Sequence, residues 1–156
     1  MSTTVSPRAR LAELGLELPT VAKPVAAYVP AVRSGDLVFT SGQLPLVDGQ
    51  LALSGLVGAA VTPDEAHDLA RTCALNALAA VDALVGLDAV TRVVKVVGFV
   101  ASAPGFTGQP AVVNGASELL GAVFGEAGQH ARSAVGVAVL PLDAPVEVEL
   151  VVEVAG

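Results

Sequence analysis

The stretch Thr62–Val100, TPDEAHDLARTCALNALAAVDALVGLDAVTRVVKVVGFV, sets a long helix directly before a long strand and decides the fold class. Thr62 suits an N-cap, Pro63 the first helical position, and Glu65 closes a capping box three residues on. Ala66, Leu69, Ala70, Cys73, Ala77, Val81 and Leu84 recur at helical spacing, while Asp64, Asp68, Arg71 and Asp82 fall largely off that stripe. Gly86 is the natural stop. Val90–Val100 is dense in β-branched residues and too continuously apolar for an exposed strand. We expect a central strand with Val94, Val96 and Val100 on one face, Val93, Val97 and Phe99 on the other, and both faces covered.

Downstream, Ala101–Gly108 reads as a loop, and a second helix from Gln109–Pro110 to Gly125 presents Val112, Val113, Ala116, Leu119, Leu120 and Val123. Arg132–Leu140 and Val146–Val154 read as strands. The last alternates strictly, with valines and a leucine on one face and Glu147, Glu149 and Glu153 on the other, so one face is buried. Upstream, Ala31–Arg33 and Leu37–Thr40 flank a Ser34–Gly35–Asp36 turn, Asp48–Gly49 marks another turn, and Arg8–Leu18 has room for one or two helical turns. The order β-β, possible small β, α-β-α-β-β predicts an α+β two-layer sandwich with two helices on one face of a mixed or antiparallel sheet. Residues 1–23 read as an N-terminal extension and 24–156 as the single domain.

Of 156 residues, 8 are Lys or Arg and 15 are Asp or Glu, a net charge of −7. Only 15% of residues are charged, against about 25% in ordinary domains, so the uncovered sheet face is expected to meet other subunits. Eight dispersed basic residues, no Trp and one Tyr argue against nucleic acid, and the missing basic tract argues against anionic membranes. The longest uncharged run, the 22 residues Val96–Ser117, is broken by Pro104 and Pro110 and by glycines that include Gly98, Gly105 and Gly108, unlike a bilayer helix. The N-terminus lacks the apolar core of a secretion signal, so we expect a cytoplasmic protein. No residue cluster calls for a metal or an organic cofactor.

Few residues carry candidate chemistry. Cys73 lies on the apolar stripe and reads as core packing. Arg132 opens a strand with no acid within five positions, so its guanidinium offers either a fork for a carboxylate or a partner for a surface acid. If the last two strands form a hairpin through Pro141–Pro145, Glu147 comes near Arg132 or faces solvent; Glu149 and Glu153 share its parity. Ser41–Gly42–Gln43 ends a strand, and Tyr28 sits in a proline-flanked segment, either as an aromatic wall or as a plug at the core edge.

Taken together, Ala27-Tyr-Val, Leu37-Val-Phe-Thr-Ser-Gly-Gln-Leu-Pro45, Val90–Val100, Val113-Asn-Gly, Ala131-Arg-Ser-Ala-Val and Val146-Glu-Val-Glu149 resemble the RidA/YjgF family of reactive-intermediate deaminases, once described as L-PSP endoribonucleases. The resemblance spans about Pro24 to Val154 and points to a longer subgroup. It implies a chorismate-mutase-like fold and a homotrimer with three clefts between subunits. It implies hydrolysis of small enamine or imine acids to 2-keto acids and ammonia, without metal or cofactor. By position, Arg132 matches the arginine that grips the substrate carboxylate, Glu147 the acid that places water, and Tyr28 the cleft tyrosine. Ser41, Gly42 and Asn114 match pocket-lining positions, and Ala134 stands where typical members have Cys, leaving only a backbone contact there. A non-catalytic trimer that binds a small carboxylate in the same pocket is the alternative.

Overall fold

In a computed structural model, which describes residues 4–21, 24 and 27–156, seven strands and three α-helices form an α+β sandwich among the described residues. Lys23, at the expected domain boundary, and Val25 and Ala26, ahead of Tyr28, lie outside the described residues. The strands are β1 (Ala31–Ser34), β2 (Leu37–Thr40), β3 (Leu46–Val47), β4 (Gln50–Leu51), β5 (Val90–Ala101), β6 (Ala131–Val137) and β7 (Val146–Val154). The helices are α1 (Pro7–Glu13), α2 (Pro63–Val85) and α3 (Gln109–Phe124). The main sheet runs β1-β2-β7-β5-β6, and β3 and β4 form a separate hairpin across Asp48 and Gly49, both at positive φ.

Helix α2 begins as its sequence demands: Glu65 N donates to Thr62 Oγ1 at 3.1 Å, and Thr62 N donates to Glu65 Oε1 at 3.0 Å. Gly86 caps the far end at φ 83°. Ala66, Ala70, Cys73, Ala77 and Val81 are buried as expected, but Leu84 is exposed and Leu78 takes its place in the core. Helices α2 and α3 approach so closely at Gly115 that a Cβ there would sit 1.9 Å from the carbonyl oxygen of His67. Beneath α3, Gly98 makes room for Val113 in the same way. The third helix, α1, buries Leu11 and is tied on by the Arg8–Asp82 ion pair and by Arg8 N donating to Asp88 at 2.9 Å.

Two sequence expectations are corrected. The strands carrying Arg132 and Glu147 are not a hairpin: β6 pairs parallel with β5, β7 pairs antiparallel with β5, and β5 therefore lies between them. The cause is the β5-α3-β6 unit, whose helical crossover returns the chain parallel to the strand it left. Strand β6 also ends at Val137, short of Leu140. Second, β5 does not alternate strictly. A register shift between Val93 and Lys95 puts Val93 and Val96 together on the helical side. Val97 and Phe99 face away from the helices and stay half-buried, so this chain covers only one face of its sheet.

The helical face holds the core. Val146, Val148, Leu150, Val152 and Val154 of β7 are all buried there, each contributing about 1.5–3 kcal/mol by leaving water. On the open face Val32, Phe39 and Val135 remain 50%, 41% and 44% exposed. Among the described residues no helix is long and apolar enough to cross a membrane.

Candidate functional site

Arg132 enters β6 beside Val96, whose side chain faces the helices, so in the parallel ladder the guanidinium turns towards α3. There its Nη1 donates to Asn114 Oδ1 at 2.7 Å and to Ser117 Oγ at 3.2 Å, and Nη2 donates to the Pro110 carbonyl at 3.3 Å. Pro110, Asn114 and Ser117 are spaced four and three apart, hence on one face of α3. All three acceptors are neutral, and among the described residues no acid pairs with Arg132. The arginine is fixed in place while its charge stays uncompensated. The three bonds use both Nη1 protons and one Nη2 proton, leaving Nε–H and the second Nη2 proton, donors on nitrogens that share an edge.

Sequence reasoning missed two residues here. Ser117 also meets His130 Nε2 at 2.9 Å, and His130 Nδ1 lies 2.6 Å from the Gly128 carbonyl. The signal was present: Ser117 follows Asn114 by one helical turn, and His130 precedes Arg132 by two residues at the strand entrance. Ala134 lies two residues beyond Arg132 on the same side of β6, opposite Gly98 and packed against the core.

Glu147 belongs to a second group. It pairs with Phe99, whose side chain is on the open face, so Glu147 lies on the side of the sheet opposite Arg132. The register puts Val135, not Arg132, in line with it across β5. Two strand spacings and three residues along β6 separate the two backbones by about 14 Å. Within one chain, Arg132 and Glu147 do not form a site.

What surrounds Glu147 is a bulge. Phe39 pairs with Val151 and Gln43 with Val148, four steps on one strand against three on the other. Leu150 N donates to Thr40 Oγ1 at 2.9 Å, and Ser41–Gly42 arches out. A Cβ on Gly42 would sit 1.9 Å from Glu147 Oε1, so the missing side chain makes the space that the carboxylate fills. Ser41 Oγ donates to the Val29 carbonyl at 2.6 Å, and Ser41 N donates to Pro30 at 2.8 Å, pinning the segment that carries exposed Tyr28. Burial raises the Glu147 carboxyl above its ordinary value, and the nearby Glu149 charge adds to it. Cys73 is buried in the core as expected, its thiol raised by burial and further by Glu147.

The structure thus gathers Arg132, Asn114 and Ala134 on one side and Ser41, Gly42, Glu147 and the Tyr28 segment on the other. Two clefts on the helical side, of about 340 and 270 Å³, touch neither group. Among the described residues no three His, Cys, Asp or Glu converge as metal ligands.

Comparison with known proteins gives a consistent picture. Residues 8–154 match the family model described as "YjgF/chorismate mutase-like, putative endoribonuclease". Protein TCP17 of Trypanosoma cruzi is 48% identical over 157 residues, covering 98% of both chains. A solved structure from Shewanella oneidensis MR-1, described in the same endoribonuclease terms, is 35% identical with a TM-score of 0.91, covering 96% of this chain and 99% of that one. TdcF of E. coli, solved with bound serine, is 27% identical with a TM-score of 0.61, covering 88% and 94% respectively.

Proposed function

The chain belongs to the YjgF/chorismate mutase-like family, and from that premise we propose that it hydrolyses small imine or enamine carboxylates to 2-keto acids and ammonia. The observation that carries this reading is Arg132, immobilised on neutral acceptors with one edge left over. A carboxylate taken by Nε–H and the remaining Nη2–H would be held in a bidentate clamp, with the imine carbon at a fixed distance beyond it. Serine bound to TdcF is a ligand of the size and charge such a clamp suits.

Water then adds to the imine carbon. Glu147 accepts a proton from that water and returns it to the nitrogen, giving a carbinolamine. It then takes the carbinolamine hydroxyl proton and passes it to the nitrogen, so that the carbonyl forms as the carbon–nitrogen bond breaks and ammonia and the keto acid leave. A carboxyl whose proton is held more firmly because of burial is better suited to returning a proton than an exposed one. Because Arg132 and Glu147 occupy opposite faces of one sheet, the reading requires the arginine of one subunit and the glutamate of another. The exposed Val32, Phe39 and Val135 on the open face are what a homotrimer would bury, and the cleft between subunits would unite the two groups.

A binding-only homotrimer is the second reading. It is favoured by one contrast: Arg132 has three hydrogen bonds ordering it, whereas Glu147 has none among the described residues. RNA cleavage suits the site poorly, since a net charge of −7 and a single unpaired fork make no phosphate-tracking groove. The test is ammonia release from enzymatically generated 2-iminobutanoate by wild type, Arg132→Ala and Glu147→Gln. Loss in both variants supports the enzyme. Unchanged turnover in Arg132→Ala refutes the clamp, and carboxylate binding without any wild-type turnover favours the binding trimer.

A further inference from the structure

We infer that Ser117 and His130 are positioning residues for this site: together they form a hydrogen-bonded relay that holds the Arg132 guanidinium with its ligand-binding edge outward. The inference rests on the carboxylate-clamp reading and adds the groups that orient the clamp.

The direction of each bond follows from what each atom can do. A backbone carbonyl only accepts, so the 2.6 Å contact with Gly128 requires a proton on His130 Nδ1. In the neutral ring, Nε2 is then an acceptor, and the 2.9 Å contact with Ser117 requires the hydroxyl proton to point at it. With its only proton committed, Ser117 Oγ turns lone-pair density to Arg132 Nη1, 3.2 Å away. The chain therefore runs one way, from guanidinium to hydroxyl to imidazole to carbonyl. Without His130 the hydroxyl is free to rotate, and its proton competes with the guanidinium for the space between them.

Local structure fixes both ends. Gly128 is buried where the 3-10 turn Gly125–Gly128 packs beneath α3; a Cβ there would sit 2.4 Å from the Leu120 carbonyl. The imidazole therefore hangs from an immobile carbonyl. Because His130 and Ser117 add no negative charge to the site, they order the arginine without neutralising it. An acid in either place would order Arg132 equally well and compete with the ligand.

The relay separates two substitutions of one residue. The Gln amide oxygen can stand in for Nε2 and accept from Ser117; Asn reaches only the Nδ1 position and the Gly128 carbonyl. Affinity for 2-oxobutanoate, the keto-acid product, is measured by titration calorimetry on the full-length protein, with melting temperature recorded beside it. We expect His130→Asn and Ser117→Ala each to weaken binding about tenfold, the scale of one hydrogen bond to a charged group. His130→Gln stays within about threefold of wild type, and the Ser117→Ala, His130→Asn double variant binds no worse than Ser117→Ala alone, because His130 acts only through the hydroxyl. Equal loss in His130→Gln and His130→Asn, or additive losses in the double variant, overturns the relay. So does wild-type affinity in both single variants, and if Arg132→Ala then still abolishes binding, the clamp survives without it. Undiminished binding by Arg132→Ala removes the clamp and the relay together.

Discussion

Gly42→Ala tests the geometry around Glu147 without touching its chemistry. The added Cβ would fall 1.9 Å from Glu147 Oε1 and 2.9 Å from Cδ, and it meets the far end of a flexible side chain rather than backbone. Restoring an ordinary 3.4 Å contact demands a carboxylate displacement of at least about 1.5 Å. The backbone of Gly42 lies outside the left-handed region, so alanine adopts it without strain, and the loss of unfolded-state freedom adds about 0.4–1 kcal/mol of stability. A misplacement of about 1 Å in a reacting group costs on the order of a hundredfold in rate. The expected outcome is an unchanged or slightly raised melting temperature and 2-oxobutanoate affinity within about threefold, since Arg132 is untouched. Turnover of 2-iminobutanoate falls about a hundredfold. Full turnover in a folded Gly42→Ala protein would refute the placement of Glu147 at the reacting carbon.

Three further outcomes follow from the same geometry. Because burial raises the Glu147 carboxyl, the folded state holds its proton at pH values where the unfolded chain has lost it; stability attributable to this group is present below the ordinary glutamate range and declines as pH rises through the raised value. Thermal melting should therefore show Glu147→Gln gaining on wild type at pH 7 and not at pH 4, and an equal difference at both would contradict the burial argument. Thr62→Ala removes one side of the α2 capping box at a cost of about 1 kcal/mol, lowering the melting temperature by about 2–4 °C. Phe39→Asp places a charge on the open face and should convert the oligomer to monomer by native mass measurement, with loss of turnover; an intact oligomer would contradict burial of that face.

Much of this was legible in the sequence because it is local. The α2 capping box, the stop at Gly86, the α3 stripe and the alternation of β7 each declare themselves within a few residues, and each is present. Strand neighbourhood is not local. Arg132 and Glu147 are joined by a short proline-flanked turn, which invites a hairpin, yet the α3 crossover had already committed β6 to run parallel with β5. The bulge in β5 was hidden too, since a run of valines offers no polar residue to mark a change of face. At the site, Arg132 and Asn114 proved to touch, and Gly42 proved to be the seat of the Glu147 carboxylate. No motif marks His130 in the sequence; only its position, two before Arg132 at the entrance to an extended strand, hints that it meets α3.

The central claim is that one subunit's Arg132 works with another subunit's Glu147, and subunit mixing tests it most directly. Arg132→Ala and Glu147→Gln proteins, each inactive alone, are unfolded together in equal amounts, refolded and assayed for ammonia release. If sites span the boundary, random trimers recover roughly a quarter of wild-type activity, because a quarter of the interfaces join an intact arginine to an intact glutamate. If both residues act from the same subunit, no mixture contains an intact site, and activity that stays at the level of the separate variants would contradict the account.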